Sequence, residues 1–277
     1  QCDAEVEATQ YWRSKKYLKT KRMNYYKGNA IYDYINANQL TDFKFCSGNL
    51  WQLVYGDSNC VPKLLALVIG ADNNGYNAAY TPEQIEAFDL LNTFATTCNL
   101  PIKVIKFNTD VEIENILISD DVTVQPTEIT LADLRDIFSQ NGLPVSDTST
   151  AKYLNDRTSS AYHKWQRGHL GRALTVSDID LWKLTPTGAV QRIYELKRSY
   201  IAIGNWNPYP DDYRNFRLLS AIANQANVRL GIVYNVRKTK PKFHDDISSI
   251  KVFKVDFTKT PPIKIVGIYK NNGFFNL

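Results

Sequence analysis

The chain has 277 residues, 44% hydrophobic and 22% charged, enough for one large or two modest domains around a sizeable core. No run approaches the roughly 18 uninterrupted apolar residues of a membrane span, so no membrane partner is expected. The net charge of +5 hides an asymmetry: residues 151–277 hold 21 Lys and Arg against 9 Asp and Glu, whereas residues 1–150 hold 12 against 19. A basic half suits a polyanion-binding enzyme, and equally a solvated basic face. Cys2, Cys46, Cys60 and Cys98 form no CxxC pair and have no His cluster near them, which excludes zinc-site spacing. Reduced thiols in a cytoplasmic protein are the expectation. Export stays open, because the chain starts at Gln1 and not at a methionine.

Residues 10–27 interleave seven basic side chains with Tyr11, Trp12, Tyr17, Tyr25 and Tyr26. They read as a helix with inward aromatics, or as an arm that grips phosphates and stacks on bases. Two strands follow, LWQLVYG and KLLALVIG, around the turn DSNCVP. Thr81 is the predicted N-cap of a helix, with Pro82 first in the helix and Gln84 completing a capping box. Ile85, Phe88, Leu90 and Leu91 lie at helical spacing, and residues 102–107 form a strand. Thr130, with Asp133 three residues on, starts a helix that Gly142 stops. The polar segment 143–150 is a candidate boundary. It divides a mixed α/β domain over 1–150, for substrate grip, specificity or a partner surface, from a second domain over 151–277.

In the second half, residues 151–168 predict a helix ending at Gly168 or Gly171. RALTVS is a short strand, and IDLWKL with AVQRIYELK forms a hairpin. The loop IAIGNWNPYP leads into a helix with Asp211 or Asp212 as N-cap and Phe216, Leu219, Ile222 and Ala223 facing inward. Strands over 228–236, 250–257 and 263–269 complete the chain. The order is α-β-β-β-α-β with extra strands after it.

The hairpin carries the chemistry. Side chains alternate along a strand, so Glu195 and Lys197 share a face, as do Asp178 and Asp180. Loop length decides whether the two faces coincide. A two-residue loop at Thr187-Gly188 sets Asp180 opposite Glu195. A four-residue loop from Thr185 to Gly188 sets Asp178 there. A regular three-residue loop separates the faces, so a shared site demands an even loop or a compensating bulge. With the faces aligned, the carboxylates are hard ligands suited to Mg²⁺, with Mn²⁺ as a substitute. Lys197 would orient or help deprotonate a water, or neutralise transition-state charge. The plain alternative is a surface salt bridge worth about 0–1 kcal/mol. The apolar neighbours Ile179, Leu181, Ile193, Tyr194 and Leu196 argue for a central hairpin, where buried charges need a reason.

This constellation resembles the PD-(D/E)xK nuclease superfamily over roughly residues 151–236. That family has an Asp opening the second core strand, Glu-x-Lys on the third, a helix before and a helix-strand after. Asp180 or Asp178 and Glu195-Leu196-Lys197 match it. The resemblance implies a restriction-endonuclease-like α-β-β-β-α-β core in the C-terminal half. It also implies metal held by Asp180, Glu195, Asp178 and the Leu196 backbone carbonyl, and catalysis by Asp180, Glu195 and Lys197. The implied activity is metal-dependent endonuclease cleavage, with DNA the favoured substrate and a homodimer one arrangement. The name's Pro is missing before either Asp. The Pro-Asp-Asp at 210–212 falls after the Glu-x-Lys and reads as a helix cap. The first helix offers Asp156, a turn early, with His163 or Gln166 at the equivalent place, which leaves the metal count open.

Candidate substrate contacts are Gln166 and Arg167 on that helix, Trp206 in the loop after the Glu-x-Lys strand, and Arg214 and Arg217 on the next helix. Each has a structural alternative, Trp206 as a core lid above all. The basic turn at 237–242 is a backbone contact or a solvated loop. An RNA-cleaving nuclease or toxin, and a non-catalytic nucleic-acid-binding module with a relic site, are the competing readings. An assembly role through basic patches is the least favoured.

Overall fold

A computed structural model describes residues 28–149, 160–240 and 242–277. The basic-aromatic segment 10–27 and Asp156 lie outside the described residues.

The elements run α1 (Ala30–Ala37), β1 (Phe43–Lys44), β2 (Leu50–Gly56), β3 (Pro62–Ala71), α2 (Asn73–Tyr76), α3 (Pro82–Thr97), β4 (Ile102–Asn108), β5 (Asn115–Ser119), β6 (Thr127–Thr130) and α4 (Leu131–Gln140). Then come α5 (Ala161–His169), β7 (Thr175–Asp178), β8 (Leu181–Leu184), β9 (Val190–Ser199), a 3-10 turn (Pro210–Asp212), α6 (Tyr213–Gln225), β10 (Arg229–Lys238), β11 (His244–Val255), β12 (Ile263–Lys270) and α7 (Asn271–Phe275). The fold is mixed α/β, as the alternating periodicities imply. Both expected capping boxes form: Thr81 with Gln84 starts α3, and Thr130 with Asp133 starts α4. Helix α5 starts at Ser160, whose hydroxyl accepts from the His163 N–H. It ends before Gly171, whose φ of +84° only glycine adopts freely; a Cβ there would collide with Ser146.

Two six-stranded sheets share a layer of helices. One has the order β1-β8-β9-β10-β11-β12 and the other β6-β5-β4-β3-β2-β7. Each contains one parallel pair, β9 with β10 and β3 with β4, and each pair is joined by a crossover helix. Those helices, α6 and α3, lie between the sheets. Phe88, Leu91 and Phe94 of α3 and Phe216, Leu219 and Ile222 of α6 meet Val54 and Leu67 of one sheet and Trp182, Ile193 and Tyr234 of the other. Helices α4 and α5 cover the outer face of the second sheet through Phe138, Tyr162 and Trp165. Helices α1 and α7 cover the outer face of the first through Ile31, Ile35, Phe274 and Phe275. Among the described residues, no helix is long and apolar enough to cross a membrane.

The boundary expected at residue 150 does not divide the strands between the sheets. β7 belongs to the C-terminal half but pairs with β2, Leu53 facing Asp178 and Gly56 facing Thr175. β1 belongs to the N-terminal half but pairs with β8. The segment read as a linker is tied down as well: Ser146 N–H donates to the Leu170 carbonyl, and Arg172 donates to Thr148 and Ser149. The expected α-β-β-β-α-β order is present along the chain, but its first strand lies in the other sheet, so the three strands do not form one sheet. A strand pairing that spans both halves makes each half incomplete. Residues 151–277 produced alone are therefore expected to show no cooperative thermal transition by circular dichroism, whereas the whole chain melts in one; a sharp independent melt of the fragment would contradict the exchange.

Candidate functional site

The β8–β9 hairpin closes through a three-residue loop, Pro186 to Gly188. Thr185 N–H donates to the Ala189 carbonyl at 2.8 Å and Gly188 N–H to the Thr185 carbonyl at 2.9 Å, with Gly188 at φ +83°. A regular loop of that odd length would turn Asp180 and Glu195 to opposite faces. The strand corrects this. Leu184 pairs with Val190, but Lys183 pairs with Arg192, so Gln191 is an extra residue, a β-bulge. Beyond it Trp182 faces Ile193 and Leu181 faces Tyr194. One further step sets Asp180 opposite Glu195.

Asp180 sits where the chain changes sheets. Ile179 N–H still donates to the Gln52 carbonyl of β2, and β8 begins two residues later. The Asp180 Oδ2 accepts from the Leu196 N–H at 2.7 Å, and its carbonyl accepts from the Tyr32 hydroxyl at 2.8 Å. A strand residue's N–H and C=O point to the same edge, so the Leu196 carbonyl also faces the Asp180 side. Lys197 Nζ lies 2.8 Å from Glu195 Oε1 and 3.6 Å from Asp212 Oδ2. Glu195 Oε2 is buried with no hydrogen-bond partner. Asp178 ends β7, exposed, and its charge acts on both Asp180 and Glu195.

The electrostatics follow from this crowding. Burial, then the charges of Glu195 and Asp178, push the Asp180 carboxyl well above the ordinary carboxylate range. Burial also raises Glu195, with Lys197 opposing and Asp178 and Asp212 adding to the rise. Burial works against the charge on Lys197, but the Glu195 and Asp212 carboxylates outweigh it and raise its pKa. Lys197 is therefore a charged ammonium here, suited to orienting a water or neutralising an anion, not to removing a proton.

The other sequence candidates divide sharply. Gln166 is buried, and its Oε1 accepts from the Tyr55 hydroxyl at 2.7 Å. Arg167 is half-buried one residue on, and burial lowers its pKa. Trp206 is no base-stacking platform. It is 2% exposed, lies flat against Tyr234 at 4.2 Å and edge-on to Phe253, and its carbonyl accepts from Lys251 Nζ at 2.6 Å. Arg214 is spent on structure: its guanidinium donates to Thr175 Oγ1 and to the Arg172 and Ala173 carbonyls. Arg217 lies over the Phe257 ring. His163 stands at the acidic cluster's flank, edge-on to Trp51, with Nδ1 2.8 Å from Ser160 Oγ. Burial lowers its pKa against the opposing pull of Asp178. His169 stacks on Trp165.

Two residues escaped the sequence reading. Asp212 belongs to a Pro-Asp-Asp run that looks like a helix cap, yet it faces Lys197. Tyr32 reaches Asp180 from 148 positions away, with no local signal. Two cavities lie off the carboxylates. One of about 490 Å³ lies between α3 and the hairpin turn, lined by Phe45, Leu90, Phe94 and Trp182. One of about 710 Å³ lies beyond the ends of β9 and β10, lined by Tyr200, Arg237, Lys238 and Lys240 of the basic turn. In it Arg237 pairs with Asp245 and Lys238 with Asp246.

Among the described residues, no three His, Cys, Asp or Glu side chains converge closely enough to grip an ion as they stand. The donor set nonetheless fits a hard cation: the orphaned Glu195 oxygen, the Asp180 carboxylate and the Leu196 carbonyl share one edge. No family model matches the chain, and no curated protein matches it. Among solved structures, a sex pheromone precursor from Lactobacillus salivarius subsp. salivarius aligns at 8% identity and a TM-score of 0.15, over 74% of this chain and 62% of that one. A likeness that slight carries no argument about fold or function.

A carboxyl whose pKa is higher in the folded than in the unfolded chain costs stability once the pH exceeds its unfolded value, and costs it in full above the folded one. Asp180→Asn keeps the acceptor for Leu196 and removes the charge. It is expected to raise the melting temperature at pH 8, by about 2–4 °C for each kcal/mol relieved. The gain should vanish near pH 4 and below, where both forms are neutral. Melting curves from pH 4 to 8 check this; a gain independent of pH would point to a cause other than charge.

Proposed function

We propose that the chain is a metal-dependent nuclease that hydrolyses phosphodiester bonds, with DNA the favoured substrate. One observation carries the reading: the bulge at Gln191 restores Asp180 to a position opposite Glu195-Leu196-Lys197, where a buried carboxylate oxygen has no partner. Buried charge without a partner is expensive, and a cation is the simplest group that would offset it. The basic C-terminal half supports a polyanionic substrate.

In this reading Asp180, Glu195 and the Leu196 carbonyl would hold Mg²⁺ or Mn²⁺, with Asp178 beside them. Bound there, the ion would supply a lowered pKa for water and charge stabilisation at phosphate. Glu195 and Asp180 set the position of the reacting centre on a rigid hairpin. Lys197, held charged, orients the attacking water or stabilises the anionic phosphate as charge develops. The resemblance to PD-(D/E)xK nucleases rests on the same residues and agrees with this assignment, although β7 departs from a single-sheet core.

Incubated with Mn²⁺, the purified protein is expected to cut plasmid DNA, and Lys197→Ala to slow cutting by roughly 10²-fold or more without lowering the melting temperature. Equal cutting by the variant would refute the site. Duplex DNA, single-stranded DNA and single-stranded RNA compared side by side assign the substrate. Salt-sensitive binding without cleavage of any of them would leave a binding module.

A further inference from the structure

Asp212 occupies the N-cap position of α6 but makes no capping hydrogen bond. An N-cap side chain normally accepts from the second or third helical N–H, a bond worth about 1 kcal/mol. Thr81, Thr130 and Ser160 all make it at the helices they start. The Asp212 carboxylate turns instead to Lys197, Oδ2 standing 3.6 Å from Nζ. Its position is well defined, because Arg214 bonds the first turn of α6 to Thr175, Arg172 and Ala173.

Lys197 therefore stands between two carboxylates. It is bonded to Glu195 at 2.8 Å and lies a short side-chain swing from Asp212. The Phe216 ring, 5.4 Å from Nζ, lines the space beside it. A divalent cation on Glu195 would face the ammonium already bonded to the same carboxylate, and two cations at that range repel strongly in a buried site. The ammonium must then leave Glu195 while staying near the reacting centre. Asp212 is the one acidic group besides Glu195 with which Lys197 forms an ion pair among the described residues.

We infer that Asp212 is a positioning residue that receives the Lys197 ammonium when a divalent cation occupies Glu195, so that the cation is not bound against Lys197. The inference rests on the nuclease reading of the same site. It explains why an N-cap carboxylate forgoes its cap, and why Lys197 has two acidic partners of unequal distance. The exchange moves an ammonium between two carboxylates, with no bond made or broken.

The test uses the full chain and Mn²⁺, whose free form gives an electron paramagnetic resonance signal that bound ion loses. Asn caps a helix as well as Asp, so Asp212→Asn removes the charge and leaves any capping role intact. It is expected to weaken Mn²⁺ binding roughly 10–100-fold, the usual cost of losing a residue that supports a metal ligand. The melting temperature without metal should stay within about 2 °C of wild type, well under the shift of a lost structural contact. Unchanged Mn²⁺ affinity overturns the inference, as does weakened binding accompanied by a large loss of melting temperature. A wild-type chain that binds no Mn²⁺ at millimolar concentration overturns this inference and the nuclease reading together. A wild-type chain that binds Mn²⁺ but cuts no nucleic acid overturns the nuclease reading alone, and the affinity comparison still decides Asp212.

Discussion

Two sheets built on one shared helical layer impose a constraint: the chain must pass from one sheet to the other without leaving buried backbone groups unpaired. The passage lies at Ile179 and Asp180. Ile179 keeps its bond to β2, and the Asp180 carbonyl is taken by Tyr32. The Asp180 side chain then satisfies the Leu196 N–H, an amide on the side of β9 where β8 has not yet begun. One aspartate thus completes the ladder of one sheet at the point where the chain leaves the other. The acidic cluster grows around that junction, with Asp178 still on β7 and Glu195 across the hairpin.

The same junction concentrates unfavourable charge. Asp180 and Glu195 are both held above the ordinary carboxylate range by burial and by each other's surroundings, with Lys197 the main compensation. Structural ion pairs in a sheet normally match their charges, and this one does not. An arrangement that lowers stability while keeping geometry rigid is the pattern of a site shaped for a ligand and not for the apo fold.

Much of this was legible in the sequence, because it is governed by local rules. The capping boxes at Thr81 and Thr130 formed as expected, since each depends on four consecutive residues. The hairpin was legible too, down to the demand for an even loop or a bulge; the chain uses the second option at Gln191. Strand exchange was not legible, because a short apolar strand such as β7 carries no mark of which sheet it joins. Trp206 was ambiguous for the same reason: an aromatic residue in a loop is written alike whether it faces solvent or, as here, Tyr234. Asp212 was misread because acidic residues at a helix start serve capping so often that the composition alone points there, and only the direction of the carboxylate departs from it. The short strands β5 and β6 and helices α1 and α7 went unnoticed, being too brief for a clear period.

The exchanged strands also bear on how the chain is made. During synthesis β2 emerges early, but its second edge stays open until β7 follows more than a hundred residues later. At about 5–20 residues per second that interval is on the order of ten seconds. Over that time the nascent chain carries an unpaired apolar edge, the kind of surface to which other strands add. The reciprocal strand, β1, likewise waits for β8. The fold therefore closes late and from both ends of the sequence at once, and a ribosome-bound chain halted before residue 175 would be a target for chaperones.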